Sequence, residues 1–169
     1  MSRLFKQNFI GNEKSGVHMM KHIVLKGSLA GIIAGLVLGL FLKWMETLSG
    51  SKVYTLLLNI DYIPFLKFNE FGDFVLHLLV SIPLAIMLFL LALRFRWTRG
   101  IILRMVIFSF IVGILLYPLT LLSERTPAID SVISISLWLI GHIIYGWTLG
   151  FIYCKLADHK KTVVTNNSP

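Results

Sequence analysis

Apolar residues run almost unbroken from about Ile23 to Leu48. Three further runs follow, at about Gly72 to Leu93, Ile101 to Leu122 and Val132 to Cys154. Each is long enough for a helix that crosses a bilayer, which takes roughly 20 residues, and each is bounded by charges or by Gly and Pro. Periodicity alone does not separate such runs from buried core helices. Four of them in a chain of 169 residues cannot all be core, however. The pattern predicts an all-α fold, an integral membrane bundle of four transmembrane helices over 23–48, 72–93, 101–122 and 132–154. The connecting segments are then 49–71, 94–100 and 123–131 and the tails 1–22 and 155–169, of which 1–22 and the end after Asp158 read as flexible and polar.

Composition agrees. Hydrophobic residues make up 56%, charged residues 14%, and the mean hydropathy is +0.80. A water-soluble fold of this size lacks the polar surface to cover so much apolar material. The net charge of +8 does not point to nucleic acid, because the cations sit in clusters beside the apolar runs. A single cysteine, Cys154, excludes an intramolecular disulfide framework and any multi-cysteine metal motif. At the end of the fourth run it reads as a packing residue rather than a lipidation site.

The basic residues also orient the chain. Of sixteen Lys and Arg, twelve fall in the two tails, at Lys26, in 94–100 and at Arg104, leaving Lys43, Lys52, Lys67 and Arg125 on the opposite side. Cytoplasmic loops carry the excess of such cations, so both termini are expected in the cytoplasm. The apolar run starting at Ile23 is too long for a cleavable signal and contains Lys43 and Glu46. The outer segment 49–71, with Tyr54, Tyr62, Phe65, Phe68 and Phe71, reads as interfacial.

Within the first span Gly27, Gly31, Gly35 and Gly39 recur every four residues, and Gly146 and Gly150 repeat the spacing in the fourth. Small residues at that interval let two helix backbones approach closely in lipid. The stripe serves packing inside one subunit or, alternatively, a homodimer face.

Polar residues inside spans are costly unless paired, which makes them candidates for function. Glu46 falls on the face of Gly35 and Gly39 at about 100° per residue, with Lys43 one turn away. Asp73, His77 and Ser81 form a stripe on the second span; Ser109, Gly113, Tyr117, Thr120 and Glu124 form one on the third. His142 lies about 14 Å from the outer end of the fourth span, near the midplane, and shares its face with Tyr145 and Gly146. Glu46, Asp73, His77, Tyr117, His142 and Tyr145 therefore make a candidate cluster in the outer half of the bundle. It reads either as interhelical hydrogen bonding, with Glu46 paired to Lys43, or as a proton or cation site relayed by the two histidines. No HExxH motif and no serine with an assigned base occurs, so no enzyme activity, metal or cofactor is expected. The expected partners are the lipid bilayer and either further copies of the chain or another membrane protein.

Four places in the chain resemble the bacterial integral membrane proteins of the YqhR and YagU type, a family without an assigned biochemical activity. They are the glycine-rich start from Gly27 to Gly39 running into Lys43, Trp44 and Glu46; the lone His77; Tyr117-Pro118-Leu119 followed by Pro127; and Gly141-His142-Ile143-Ile144-Tyr145-Gly146-Trp147. Lys43 and Glu46 stand three apart, where the YagU type has four. The resemblance spans about Lys26 to Lys155 and implies a multi-pass protein of the bacterial cytoplasmic (inner) membrane. An accessory or scaffold-like role is the leading expectation, and proton- or cation-linked transport or sensing the alternative.

Overall fold

The computed structural model describes the backbone of residues 2–59, 69–97 and 99–165, and the side chains of 20–59, 69–97 and 99–156. Tyr62, Phe65 and Phe68 of the expected interfacial segment lie outside the described residues. Among the described residues the chain is helical and contains no strand. Its helices are α1 (Ser2–Ser49), α2 (Val53–Leu58), α3 (Glu70–Arg94), α4 (Ile101–Leu116) and α5 (Val132–Thr165), with a 3-10 turn over Tyr117–Leu122.

Four helical stretches are long and apolar enough to cross a membrane: Met20–Ser49, Glu70–Arg94, Ile101–Leu122 and Val132–Leu156. α1 continues back through the basic tail to Ser2, and α5 likewise runs on to Thr165. Neither extension holds a proline to interrupt the backbone ladder.

Local chemistry sets the helix ends. Asn69 caps α3, its side chain accepting from the Gly72 amide at 2.9 Å, and Glu70 and Asp73 in the first turn complement the helix dipole. Arg96 and Gly100, at φ +49° and +64°, reverse the chain between α3 and α4 in the left-handed region. Trp97 folds back to stack on Phe108 at 5.6 Å, and the Arg104 guanidinium lies 5.4 Å from its ring centre. At the other end of α4, Pro118 opens the tighter 3-10 turn.

Around the bundle the order is α3, α1, α5, α4, with neighbours in that order packed together. The seams run over glycine. A Cβ at Gly31 would lie 2.9 Å from the Ile82 Cα, and one at Gly35 would lie 2.8 Å from Ser81 Oγ, so the glycine face of α1 is covered by α3 of the same chain. A Cβ at Gly27 or Gly39 would likewise collide with Ile86 or Phe74. A Cβ at Gly146 or Gly150 would lie 2.7 Å from the Cα of Val106 or Ile102 of α4. Inside sit Leu42, Leu88, Met105, Tyr145 and Leu149, all but inaccessible, while Leu25 and Leu115 on the outside are 69% and 70% exposed. Apolar inside and apolar outside is the surface of a protein solvated by lipid. The short α2 folds back over one end of the bundle and buries Val53 and Leu56 there.

Candidate functional site

The polar residues of the spans fall into separate groups. Glu46, near the end of α1, turns its carboxylate to the start of α2. Its Oε2 accepts from the amides of Tyr54 and Thr55 at 2.7 and 2.9 Å, and its Oε1 accepts from Thr55 Oγ1 at 2.9 Å. A carboxylate from another helix thus satisfies backbone donors that a helix of six residues leaves open.

Lys43 does not pair with Glu46. Its ammonium lies 2.7 Å from Glu70 Oε1, and 5.2 Å from the Tyr54 ring centre. Glu70, in the first turn of α3, comes within reach of the Lys43 ammonium, while Glu46 is engaged by α2. Partial burial raises the Tyr54 phenol above its ordinary value, and the nearby Lys43 charge opposes that shift. These groups line a polar funnel of about 400 Å³ at the α2 end of the bundle, together with Asp73 and Arg125.

Deeper in, His77 Nε2 faces the Gly35 carbonyl oxygen at 3.3 Å. One turn on, Ser81 Oγ donates to the Gly31 carbonyl at 2.7 Å, possible only because Gly31 lets α3 come this close. The Tyr145 hydroxyl of α5 donates to the Ser81 carbonyl at 3.0 Å. On α5, His142 Nδ1 faces the Trp138 carbonyl of its own helix at 3.0 Å, and its ring packs on Trp138 at 4.6 Å and into the space left by Gly113. Trp138 Nε1 donates to the Gly113 carbonyl at 2.9 Å, binding α5 to α4.

The cluster expected from sequence is therefore divided. Asp73, His77, His142 and Tyr145 line one cavity of about 150 Å³, with Ser81 and Trp138. Glu46 lines the funnel instead, and Asp73 and Asn59 border both spaces. Tyr117 lines neither; its hydroxyl donates to the Ala128 carbonyl at 3.3 Å and braces the connection into α5. Glu124 is exposed. Residues not singled out from sequence also matter. Glu70 and Thr55 take the polar ends of α1, and Trp138 supplies the buried donor that holds α4; an indole inside a span, needing a partner for its N–H, was the available signal. Among the described residues no three His, Cys, Asp or Glu side chains gather in a way that could hold a metal ion.

No protein-family model, curated protein or solved structure matches this chain. The resemblance to the YqhR and YagU type rests on the four motifs alone.

Proposed function

We propose that this is a multi-pass protein of a bacterial cytoplasmic membrane, both termini in the cytoplasm, with an accessory or scaffold-like rather than catalytic role. The cations gathered in the tails and in 94–100 support the orientation. The motifs shared with the YqhR and YagU type support the family and the bacterial origin. Its partners are the bilayer and, on the exposed apolar faces outside the glycine seam, further copies or another membrane protein.

The observation that carries this reading is the engagement of Glu46. Its two carboxylate oxygens accept three hydrogen bonds from α2. Protonation removes acceptor capacity from such a carboxylate, so carrying protons would release α2 at every cycle. The donors of Ser81, Tyr145 and Trp138 are likewise engaged by carbonyls of neighbouring helices. One observation favours proton- or cation-linked transport or sensing as a second reading: the funnel holding Glu46 and the cavity holding both histidines share Asp73 and Asn59 on their walls.

Proton and monovalent-cation flux in proteoliposomes, from about pH 5 to pH 8 across the histidine range, separates the two. The accessory reading expects wild type and Glu46→Gln alike to stay at the level of empty liposomes. A wild-type flux abolished in a folded Glu46→Gln protein would overturn it. Orientation is tested in a Cys154→Ser background on intact cells, where an impermeant maleimide should label Lys52→Cys and spare Arg99→Cys.

A further inference from the structure

Three of the four helix seams around the bundle are packed, and the fourth is not: α3 and α4 share no interface comparable with the others. The cavity of about 150 Å³ lies in that gap. Val80 and Leu116 both line it and are 63% and 36% exposed, so it opens sideways between α3 and α4, onto the face that lipid chains cover. Leu76, Leu84 and Val112 make its sides apolar.

Its inner wall is polar, with Asp73 and Asn59 at the end shared with the funnel, and the Tyr145, Ser81 and Trp138 donors are already used. Tyr145 donates to the Ser81 carbonyl, Ser81 Oγ to the Gly31 carbonyl and Trp138 Nε1 to the Gly113 carbonyl. A carbonyl oxygen only accepts, so His77 Nε2 and His142 Nδ1, which face the carbonyls of Gly35 and Trp138, carry the ring hydrogens. In the uncharged rings this leaves acceptor lone pairs on His77 Nδ1 and His142 Nε2. His142 is only 4% exposed, and it lines the cleft.

We infer that this cleft binds a membrane-dissolved amphiphile whose polar end is a hydroxyl donor, a phenol or alcohol on an apolar tail. The hydroxyl donates to His142 Nε2, and the tail leaves between Val80 and Leu116. An anionic head would meet lone pairs with no free histidine N–H, and an ether could not donate. The volume suits about one aromatic ring, since an apolar cavity of roughly 150 Å³ holds benzene. The site does not depend on the accessory role.

The test uses the full chain in nanodiscs and a photoreactive alkylphenol, with labelled residues mapped by mass spectrometry. Labelling should saturate and concentrate on α3 and α4 around Val80. Octylphenol should compete at about tenfold lower concentration than its methyl ether, octylanisole, the discrimination expected when one hydrogen bond is kept or lost. In His142→Phe that ratio should fall toward one. Val80→Trp, at the mouth and away from the polar wall, should block labelling in a protein that melts like wild type, which keeps the test intact if His142→Phe misfolds. Equal competition by phenol and ether, stronger competition by octylbenzoate, labelling spread evenly over the lipid-facing surface, or a dimer crosslinked through Val80 that excludes the probe would each overturn the proposal.

Discussion

Ser81 of α3 and Tyr145 of α5 meet through both side chain and backbone: their hydroxyl oxygens are 3.0 Å apart, and the Tyr145 hydroxyl donates to the Ser81 carbonyl at 3.0 Å. Ser81 Oγ in turn donates to Gly31 of α1 at 2.7 Å. Three helices are thus joined at one buried point. The junction depends on glycine, because a side chain at position 31 would drive α3 away. In lipid, where apolar surface gives no net drive for helix association, close packing and such bonds hold a bundle together.

Replacing Gly31 by Leu should therefore part α1 from α3. The added side chain meets backbone at Ile82 rather than a flexible side-chain end, so relief requires the helix to move. A loss of about 1–3 kcal/mol or more is expected from overpacking, read as a lower melting temperature and a smaller monodisperse yield. Gly50→Ala is the control. Nothing lies within 4 Å of a Cβ there, and the φ of +70° alone should cost about 1 kcal/mol.

Glu46→Ala should loosen α2 without disturbing the spans. Hydrogen exchange is the direct readout, with the Tyr54 and Thr55 amides that donate to Glu46 exchanging faster than in wild type. Glu46→Gln should fall between, since its amide keeps a single acceptor oxygen. Unchanged exchange in Glu46→Ala would mean that α2 is held by its apolar contacts alone.

The Lys43–Glu70 pair should behave differently. Its side chains are 56% and 62% exposed, where ion pairs add little and are screened. Lys43→Met and Glu70→Gln should each melt within error of wild type, at low and at high salt. A clear loss would show that this pair anchors α3 to α1.

Trp138→Phe should retain most of the ring packing and lose the bond from Nε1 to the Gly113 carbonyl. The expected cost is about 1 kcal/mol. A melting temperature below that of wild type is the readout.

Much of this architecture is legible in the sequence because a bilayer limits the options to long apolar helices. Helical periodicity also puts Asp73, His77 and Ser81 on one wall, and all three line the same cavity. What the spacing does not reveal is the partner across a loop. Lys43 and Glu46 look like a pair when α1 is considered alone. Where α3 begins decides that Glu70 takes Lys43, and the fold-back of α2 decides that Glu46 takes Thr55. Tyr117 shares a stripe with Ser109 and Gly113, yet Pro118 tightens the backbone into a 3-10 turn just there, and the phenol goes to Ala128. Each departure arises where the chain leaves regular helix, so that helical spacing no longer carries the answer.

The most direct test of the claim that in-span polar groups hold this bundle together is Tyr145→Phe, with unfolding measured in bilayers, because it keeps the ring and removes only the bond to the Ser81 carbonyl. A loss of about 0.6 to 1.7 kcal/mol is predicted, the range found for interhelical bonds in membranes. Stability equal to wild type would contradict it, leaving the junction to glycine packing alone.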